Sequence, residues 1–495
     1  ALAATEFVSS IMQSGGDYNT LSSWEAAINT DLTVSSTKVY SASSTTGTVS
    51  DASTVTGSVS TTTKAKVLHN ATSSNQVLVE NIRNILTGTS TFSTSSNIVT
   101  GSGTLYTTQL AIGDYIWLES SQTWQQVLSI QSSTQLTLTT ATSTIAGSGQ
   151  SSVRGKSNFQ SGEQLQVNGS NYIVISNTGD SAIATAKIDG AWTSAETSTV
   201  IINGWTTSAA NYINIYTTTA ARHNGKWDTG KYRLEVQDYI NGIEIFGNGN
   251  DVRITGLQIY GKGYSSRNGI YIESYNATPV IISENILKGP SDGSGRCGIK
   301  ANFSSVKAYN NIIYDYTDTD GGGIIILASG ASDASYVYNN TINVFDKGIT
   351  VNAGAVVAKN NIVQSSTDGY SGTFATSSDY NISNVAGDAP NATFATTSKI
   401  VAFVSTSTSN FHLASTDILA KDAGTDLSAD ANLSFATDID GQTRPYGSAW
   451  DIGADENYTP SNPSSLGPSS LVNGSWVTST QPQFTFNQLD ANASN

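Results

Sequence analysis

Cysteine, methionine and histidine are nearly missing from this chain, whose 495 residues hold one Cys, one Met and three His. A single cysteine, Cys297, excludes an intrachain disulfide framework. Its position just before Gly298, at the start of a strand-like phrase, suits a buried structural thiol rather than a reactive one. His69, His223 and His412 stand far apart with no ligand spacing, so neither a zinc motif nor a hydrolytic triad has support. Charge is sparse and unbalanced: 12% of residues are charged, 23 basic against 38 acidic, for a net −15. Nucleic acid and anionic lipid are bound by clustered Lys and Arg, so this balance argues against both. It favours divalent cations instead. No run approaches the ~18 apolar residues of a membrane-spanning helix.

What fills the chain is Ser, Thr, Asn and Gly, the composition of strand exteriors and turns. One phrase recurs. Gly-Ile followed by alternating residues stands at Gly242-Ile243, Gly269-Ile270, Gly298-Ile299, Gly323-Ile324 and Gly348-Ile349, at intervals of 27, 29, 25 and 25. A period of about 20 to 50 residues marks a repeat architecture in which each unit buries its apolar face against the next. Alternation within the phrase has a period of two, so the unit is a strand. A second column follows each Gly-Ile by about half a period: Val280-Ile281-Ile282 leading to Asn285-Ile286, then Asn310-Asn311-Ile312, Asn339-Asn340-Thr341-Ile342 and Asn360-Asn361-Ile362. Tyr380-Asn381-Ile382 reads as a last, degraded copy. Asn tolerates left-handed backbone and suits a sharp corner, and stacked asparagines can form a side-chain ladder. Hairpins of a β-sandwich would not place two independent columns in one period. The expected fold is all-β, a right-handed parallel β-helix spanning residues 191–457.

Two regions flank the coils. Near the N-terminus, residues 19–28 predict a helix capped by Ser22 or Ser23, with Leu21, Trp24, Ala27 and Ile28 on one face. Such a helix would cover the open end of a solenoid. Residues 36–190 predict small β-modules, inserted in the first coils or strung before them. Gly113-Asp114-Tyr115-Ile116-Trp117-Leu118 and Gly162-Glu163-Gln164-Leu165-Gln166-Val167 resemble each other at an offset of 49, and Val67-Leu68-His69 with its following strand is a weaker relative. Trp117 and Trp124 are candidates for a carbohydrate platform, with packing inside the modules as the competing use. Ala1-Leu2-Ala3-Ala4 has the small residues of a signal-peptide remnant, which predicts a secreted protein.

Resemblance enters at the other end. Asp438-Ile439-Asp440-Gly441-Gln442-Thr443-Arg444-Pro445, followed by Trp450-Asp451-Ile452-Gly453-Ala454-Asp455-Glu456, resembles the closing signature of exported bacterial right-handed β-helix proteins of the cell-surface type. The likeness covers roughly residues 200–457 and implies fold and export, not an activity. Physically, Arg444 is placed to pair with Asp440, Asp451 or Asp455, making Asp438, Asp440, Arg444, Asp451, Asp455 and Glu456 a structural end-cap. After a Pro/Ser linker at 458–470, residues 471–495 resemble the opening strands of a fibronectin- or immunoglobulin-like domain, or a strand donated to a neighbour.

Chemistry is harder to find. Polysaccharide cleavage needs two or three carboxylates, with or without Arg or Lys, converging on one groove. The outward columns read Glu244, Tyr271, Lys300, Ile325, Thr350 and Phe246, Glu273, Asn302, Leu327, Asn352. After the Asn-Ile step they read Lys288, Tyr314, Val344, Gln364. None accumulates acids, and Glu273 beside Lys300 reads as a surface ion pair. Asp315, Asp318 and Asp320 alternate before Gly321 in the manner of a weak Ca²⁺ loop, with a solvated turn as the plain alternative. The sequence therefore predicts an extracellular structural or adhesive protein that self-assembles, contacts neighbouring surface proteins or binds polysaccharide. The other class is an exported polysaccharide lyase or glycoside hydrolase acting on an acidic glycan.

Overall fold

The structure is a computed structural model. It describes residues 5–458 except 34–36, 47–48, 51–52, 59–63, 82–83, 119–122, 142–146, 156–161, 168–170, 181, 238, 248–250, 263–267, 275–278, 291–295, 319–320, 328–333, 345 and 395–397. The linker and terminal-domain expectations at 458–495 therefore fall almost wholly outside the described residues, as does the Ala1–Ala4 remnant.

Three parallel sheets run the length of a β-helix. The Gly-Ile strands Ile243–Phe246, Asn268–Glu273, Cys297–Asn302, Gly322–Ile326 and Lys347–Val351 form the centre of the first sheet, which Val200–Ile202 and Asp368–Gly372 extend at its two ends. The second sheet holds strands such as Val252–Thr255, Val280–Ser283, Val306–Tyr309, Ser335–Tyr338 and Val356–Lys359. The third, from Leu234–Val236 to Ile382–Ser383, follows the Asn corner. From Val200 to Gln364 each coil thus contributes one strand to each sheet.

Register explains the Gly-Ile phrase. Ile243, Ile270, Ile299, Ile324 and Ile349 are successive pairing partners, and all are fully buried. The glycine before each has a steric cause. A Cβ at Gly298 would stand 2.4 Å from Ile313 of the third sheet and 2.8 Å from the Gly323 carbonyl of the next coil. Gly242, Gly269, Gly323 and Gly348 face the same collision with the following coil's carbonyl. The glycine column lets first and third sheets close on each other, so it is a packing requirement of the stack.

The Asn corners divide labour within a doublet. Asn310, Asn339 and Asn360 take positive φ, as do Glu284 and Tyr380 at the same step. The next residue in each corner, Asn285, Asn311, Asn340, Asn361 or Asn381, is buried and forms the ladder. Asn311 Nδ2 donates to Asn340 Oδ1 at 2.9 Å and to the Ile282 carbonyl at 2.9 Å, while its backbone N–H donates to the same Oδ1 at 3.1 Å. The pattern repeats at Asn285, Asn340 and Asn361, and it ends where Asn381 N–H meets Asn391 Oδ1.

At the first coils, Leu21–Ile28 is helical and buries Leu21, Trp24 and Ile28 in the coil interior. Its cap is Thr20, whose Oγ1 accepts from Ser23 N–H, rather than Ser22 or Ser23. Ala27 faces solvent; Glu25 is buried in its stead because Trp205 Nε1 donates to its carboxylate at 2.9 Å. Between the strands Thr5–Ile11 and Ala182–Ile188, which pair in parallel, the chain builds two closed six-stranded antiparallel barrels. One barrel uses Thr37–Thr46, Thr54–Gly57, Lys64–Ala71, Gln76–Asn81, Gln164–Val167 and Asn171–Asp180. The other, nested between Gln76–Asn81 and Gln164–Val167, runs from Asn84–Phe92 to Gly147–Gly155. Their strand pairings coincide after a circular shift, and the 49-residue likeness falls on corresponding strands, Tyr115–Leu118 and Gln164–Val167. Gln76 fastens the first barrel to the edge of the coils: its side-chain amide bonds Val8 N–H and the Glu6 carbonyl as a neighbouring strand would.

Candidate functional site

The coil faces differ in what covers them. Third-sheet strands carry apolar residues on both sides, as in Ile286-Leu287, Ile312-Ile313 and Ile362-Val363, all buried. Leu287, Ile313 and Val363 point into the coil, whereas Ile286 and Ile312 pack outward against Phe411, Ile439 and Ala454, and Ile362 against Leu413 and Ile452. The segment after about residue 400 therefore lies along the side of the stack. Paired apolar residues in place of alternation are the sequence signal for a strand covered on both faces. The third-sheet column also corrects by one residue: Tyr314 pairs with Asn343, not Val344, because Thr341 rather than Ile342 occupies the place of Ile312.

On the first sheet, by contrast, the outward side chains of the early coils are only half-buried among the described residues. Glu244, Tyr271, Lys300, Ile325 and Thr350 form one outward column and Phe246, Glu273 and Asn302 another, in the expected register. Ile325 and Thr350 are buried, so the open stretch is the early one. There Phe246 and Tyr271 meet edge to face at 6.0 Å, Tyr271 OH donates to Glu273 at 2.9 Å, and Asn241 Nδ2 donates to Glu244 at 2.6 Å. Arg296 and Lys300 complete a groove of about 250 Å³. That is shallower than the ~300–1,000 Å³ of an enclosed ligand site. It brings together two carboxylates, two cations and two aromatic rings. Glu273 bonds Tyr271 and makes no ion pair with Lys300.

The second constellation is the closing segment, and Arg444 is its centre. Its Nη1 pairs with Glu456 at 2.9 Å, with both side chains essentially inaccessible. Its partner is thus Glu456 rather than Asp440, Asp451 or Asp455. Nη2 donates to the Gly453 and Ala454 carbonyls, at 2.9 and 2.8 Å. Asp438 accepts the N–H groups of Asp440, Gln442 and Glu456; Asp451 accepts those of Asp422 and Asn457. Burial raises the Asp438 carboxyl to about 8 against the pull of Arg444, and burial with Glu456 nearby raises Asp451 to about 7. Docking onto the coils runs through the left-handed asparagines: Asn310 Nδ2 donates to the Thr437 carbonyl, Asn339 to Asp451 and Gly453, and Asn360 to Thr425. The six motif residues, expected at the end of the stack, thus gather on its side.

His412 was not singled out by any spacing, yet it joins this cluster. Its Nε2 lies 2.9 Å from Asp440 Oδ2 and its Nδ1 2.6 Å from Asn410 Oδ1. Only the fold brings residues 412, 440 and 455 together. Burial opposes its charge, but Asp440, Asp455 and Asp438 outweigh it and raise the imidazole to about 9. His223 sits on the same side of the stack; burial and Arg222 depress it to about 3.

The remaining candidates stay separate. Asp315 has positive φ and its carboxyl is raised by burial, while the Asp318 backbone carbonyl accepts Gly321 N–H; Asp320 lies outside the described residues. Trp117 and Trp124 are register partners across the hairpin Tyr115–Leu118/Thr123–Ser132 of the second barrel. Cys297 is buried, and burial raises its thiol to about 12, the behaviour of an inert packing residue. Among the described residues no helix is long and apolar enough to cross a membrane. No protein-family model matches the chain, and no curated protein matches it in sequence.

Proposed function

We propose that this protein is an exported structural or adhesive rod of the cell-surface β-helix type, and that its open first-sheet face binds polysaccharide without cleaving it. The observation that carries this reading is the groove at Phe246, Tyr271, Glu244, Glu273, Arg296 and Lys300. Aromatic rings offer apolar faces to sugar rings, and the surrounding amides and charges offer hydrogen bonds. Lys300 and Arg296 favour an acidic glycan on a chain whose net charge of −15 would otherwise repel it. Lying along the outward columns of a sheet, such a face suits a long polymer better than a small molecule. The self-assembly reading rests on the same acidity: acidic rods pack through bridging cations, and a chelator would then disperse the assemblies.

A glycan panel tests this directly. Retention of an acidic polysaccharide is expected, with no new reducing ends or unsaturated sugars. Tyr271→Ala and Lys300→Ala should each weaken retention by roughly tenfold, the cost of removing a contact worth just over 1 kcal/mol. Glu244 and Glu273 occupy diagonal places on adjacent strands, about 7–8 Å apart at the backbone. Two carboxylates lining one groove favour glycoside hydrolysis as the second reading, since cleavage of a glycosidic bond uses such a pair. Depolymerisation abolished by Glu273→Gln would establish it and remove the first.

A further inference from the structure

Beside Arg444 the closing segment buries more negative than positive charge. Asp438, Asp451, Asp455 and Glu456 are buried and Asp440 is half-buried, and among the described residues the cations in direct contact with them are Arg444 and, when it is protonated, His412. Excess buried carboxylates are neutralised by protons or by a metal ion. Three groups meet the geometric requirement for a metal: ligand atoms of His412, Asp440 and Asp455 all lie within 4.8 Å of one another.

Two further observations point into the same space. Asp440 Oδ1 is buried and has no hydrogen-bond partner, although Oδ2 of the same carboxylate holds His412. Gly225, at φ +61, packs directly against these atoms. A Cβ on it would stand 2.4 Å from His412 Nε2 and 2.6 Å from Asp440 Oδ1, so the two atoms converge on one small volume that any side chain would occupy. The imidazole is oriented for the purpose: Nδ1 lies against Asn410 Oδ1, an oxygen that also accepts the His412 backbone N–H. With the Nδ1 proton donated there, Nε2 is left as the ligand atom, the arrangement that fixes metal-binding histidines elsewhere.

We propose that His412 Nε2, Asp440 and Asp455 bind one divalent cation of the Zn²⁺ class, which locks the hairpin Phe403–Ser405/Asn410–Leu413 to the segment Asp438–Asn457. An imidazole with two carboxylates selects a borderline ion, whereas Ca²⁺ prefers an all-oxygen shell. Binding displaces the proton shared between His412 Nε2 and Asp440, so the cation replaces an ion pair rather than adding to it. The site differs from the acidic turn at Asp315 and Asp318 in having an imidazole and a buried, unpaired oxygen.

The test uses the full chain, stripped with chelator and titrated with ZnCl₂ in a calorimeter, with thermal unfolding followed in parallel. One Zn²⁺ per chain is expected, with a rise in unfolding temperature that excess chelator reverses. Asp440→Asn keeps the shape of the side chain, and His412→Gln keeps one polar group at the ring position. Each should weaken Zn²⁺ binding by at least ~100-fold, beyond the 10–100-fold typical of outer-shell changes. Co²⁺ substituted for Zn²⁺ should give a visible absorption band that both variants lose. No uptake by the unaltered chain overturns the proposal, as does unchanged affinity in folded Asp440→Asn. Ca²⁺ competing on equal terms with Zn²⁺ would overturn the assignment of the ion class.

Discussion

The asparagine ladder and the Arg444 cluster are neighbours, joined at the Asn310-Asn311 doublet, and both bury polar side chains almost completely. They do so by opposite means. Each ladder asparagine is neutral, donates to the coils on both sides, accepts from the preceding one, and hands the next coil the same unmet need. Such a device can be repeated for as many coils as the chain supplies. Around Arg444 the groups are charged, different from one another and closed upon themselves through Glu456 and the 451–454 carbonyls. That arrangement cannot be propagated, and it holds one segment in one place. The periodic network therefore sets the length and register of the rod. The aperiodic one fixes a cover to its side and is the part that senses ions and protons.

The sharpest way to break this contrast is to remove one charge from the closed cluster. Arg444→Met should leave Glu456 buried without its partner and four carbonyl contacts unmet. A loss of about 3–5 kcal/mol is expected, the cost of orphaning one member of a buried pair. Denaturant unfolding measures it, and the protease-sensitive product should be the 400–457 segment while the coils persist. If the coils unfold together with it, the cover is integral to the rod and the contrast fails.

A substitution in the ladder should cost somewhat less and act differently. Asn340→Ala removes the acceptor for Asn311 N–H and Nδ2 and the donor to Asn361 Oδ1. At about 1–3 kcal/mol for each buried group left unsatisfied, relieved in part by relaxation, roughly 3 kcal/mol is expected. Because no group in the ladder titrates, that loss should be the same at pH 5 and pH 8. A loss that varies with pH would show that the ladder is coupled to the charged cluster through the doublets.

The same contrast explains what could be read in advance. Period, strand sheet and inward isoleucines were legible because every coil repeats them, so chance cannot imitate the pattern. The ladder was legible as a corner signal, though not that the first asparagine of each doublet turns the backbone and docks the cover while the second bonds. The motif Asp438–Glu456 identified its members but not their geometry: Arg444 reaches Glu456, twelve residues on, because the intervening chain folds back in a compact turn that no periodicity encodes. His412 was invisible, since a single histidine acquires its partners only by tertiary contact. The one-residue error at Val344 arose where Thr341 replaces isoleucine and the hydrophobic marker slips while the Asn register holds.

A smaller effect separates the two networks by proton binding alone. His223 is a neutral imidazole with both nitrogens engaged: Nδ1 accepts Gly225 N–H at 3.2 Å and Nε2 meets the Glu284 carbonyl at 3.0 Å. Burial opposes a second proton on the ring, and the neighbouring Arg222 guanidinium adds to that, which is why its folded value falls to about 3. The unfolded chain takes that proton near pH 6.5. The resulting stability is present above that value and drains away as pH falls toward 3, by about 2 kcal/mol between pH 7.5 and pH 5. Asp438 and Asp451, raised to about 8 and about 7, pull the opposite way over the neutral range, because their burial favours the protonated fold. The net profile of the unaltered protein therefore mixes both signs. His223→Gln isolates one of them: its stability should fall less on acidification than that of the unaltered protein, by about those 2 kcal/mol, whatever its stability at pH 7.5. Parallel profiles for the two proteins would mean that His223 takes up its proton in the folded state at little cost, and that acid sensitivity resides in the carboxylates.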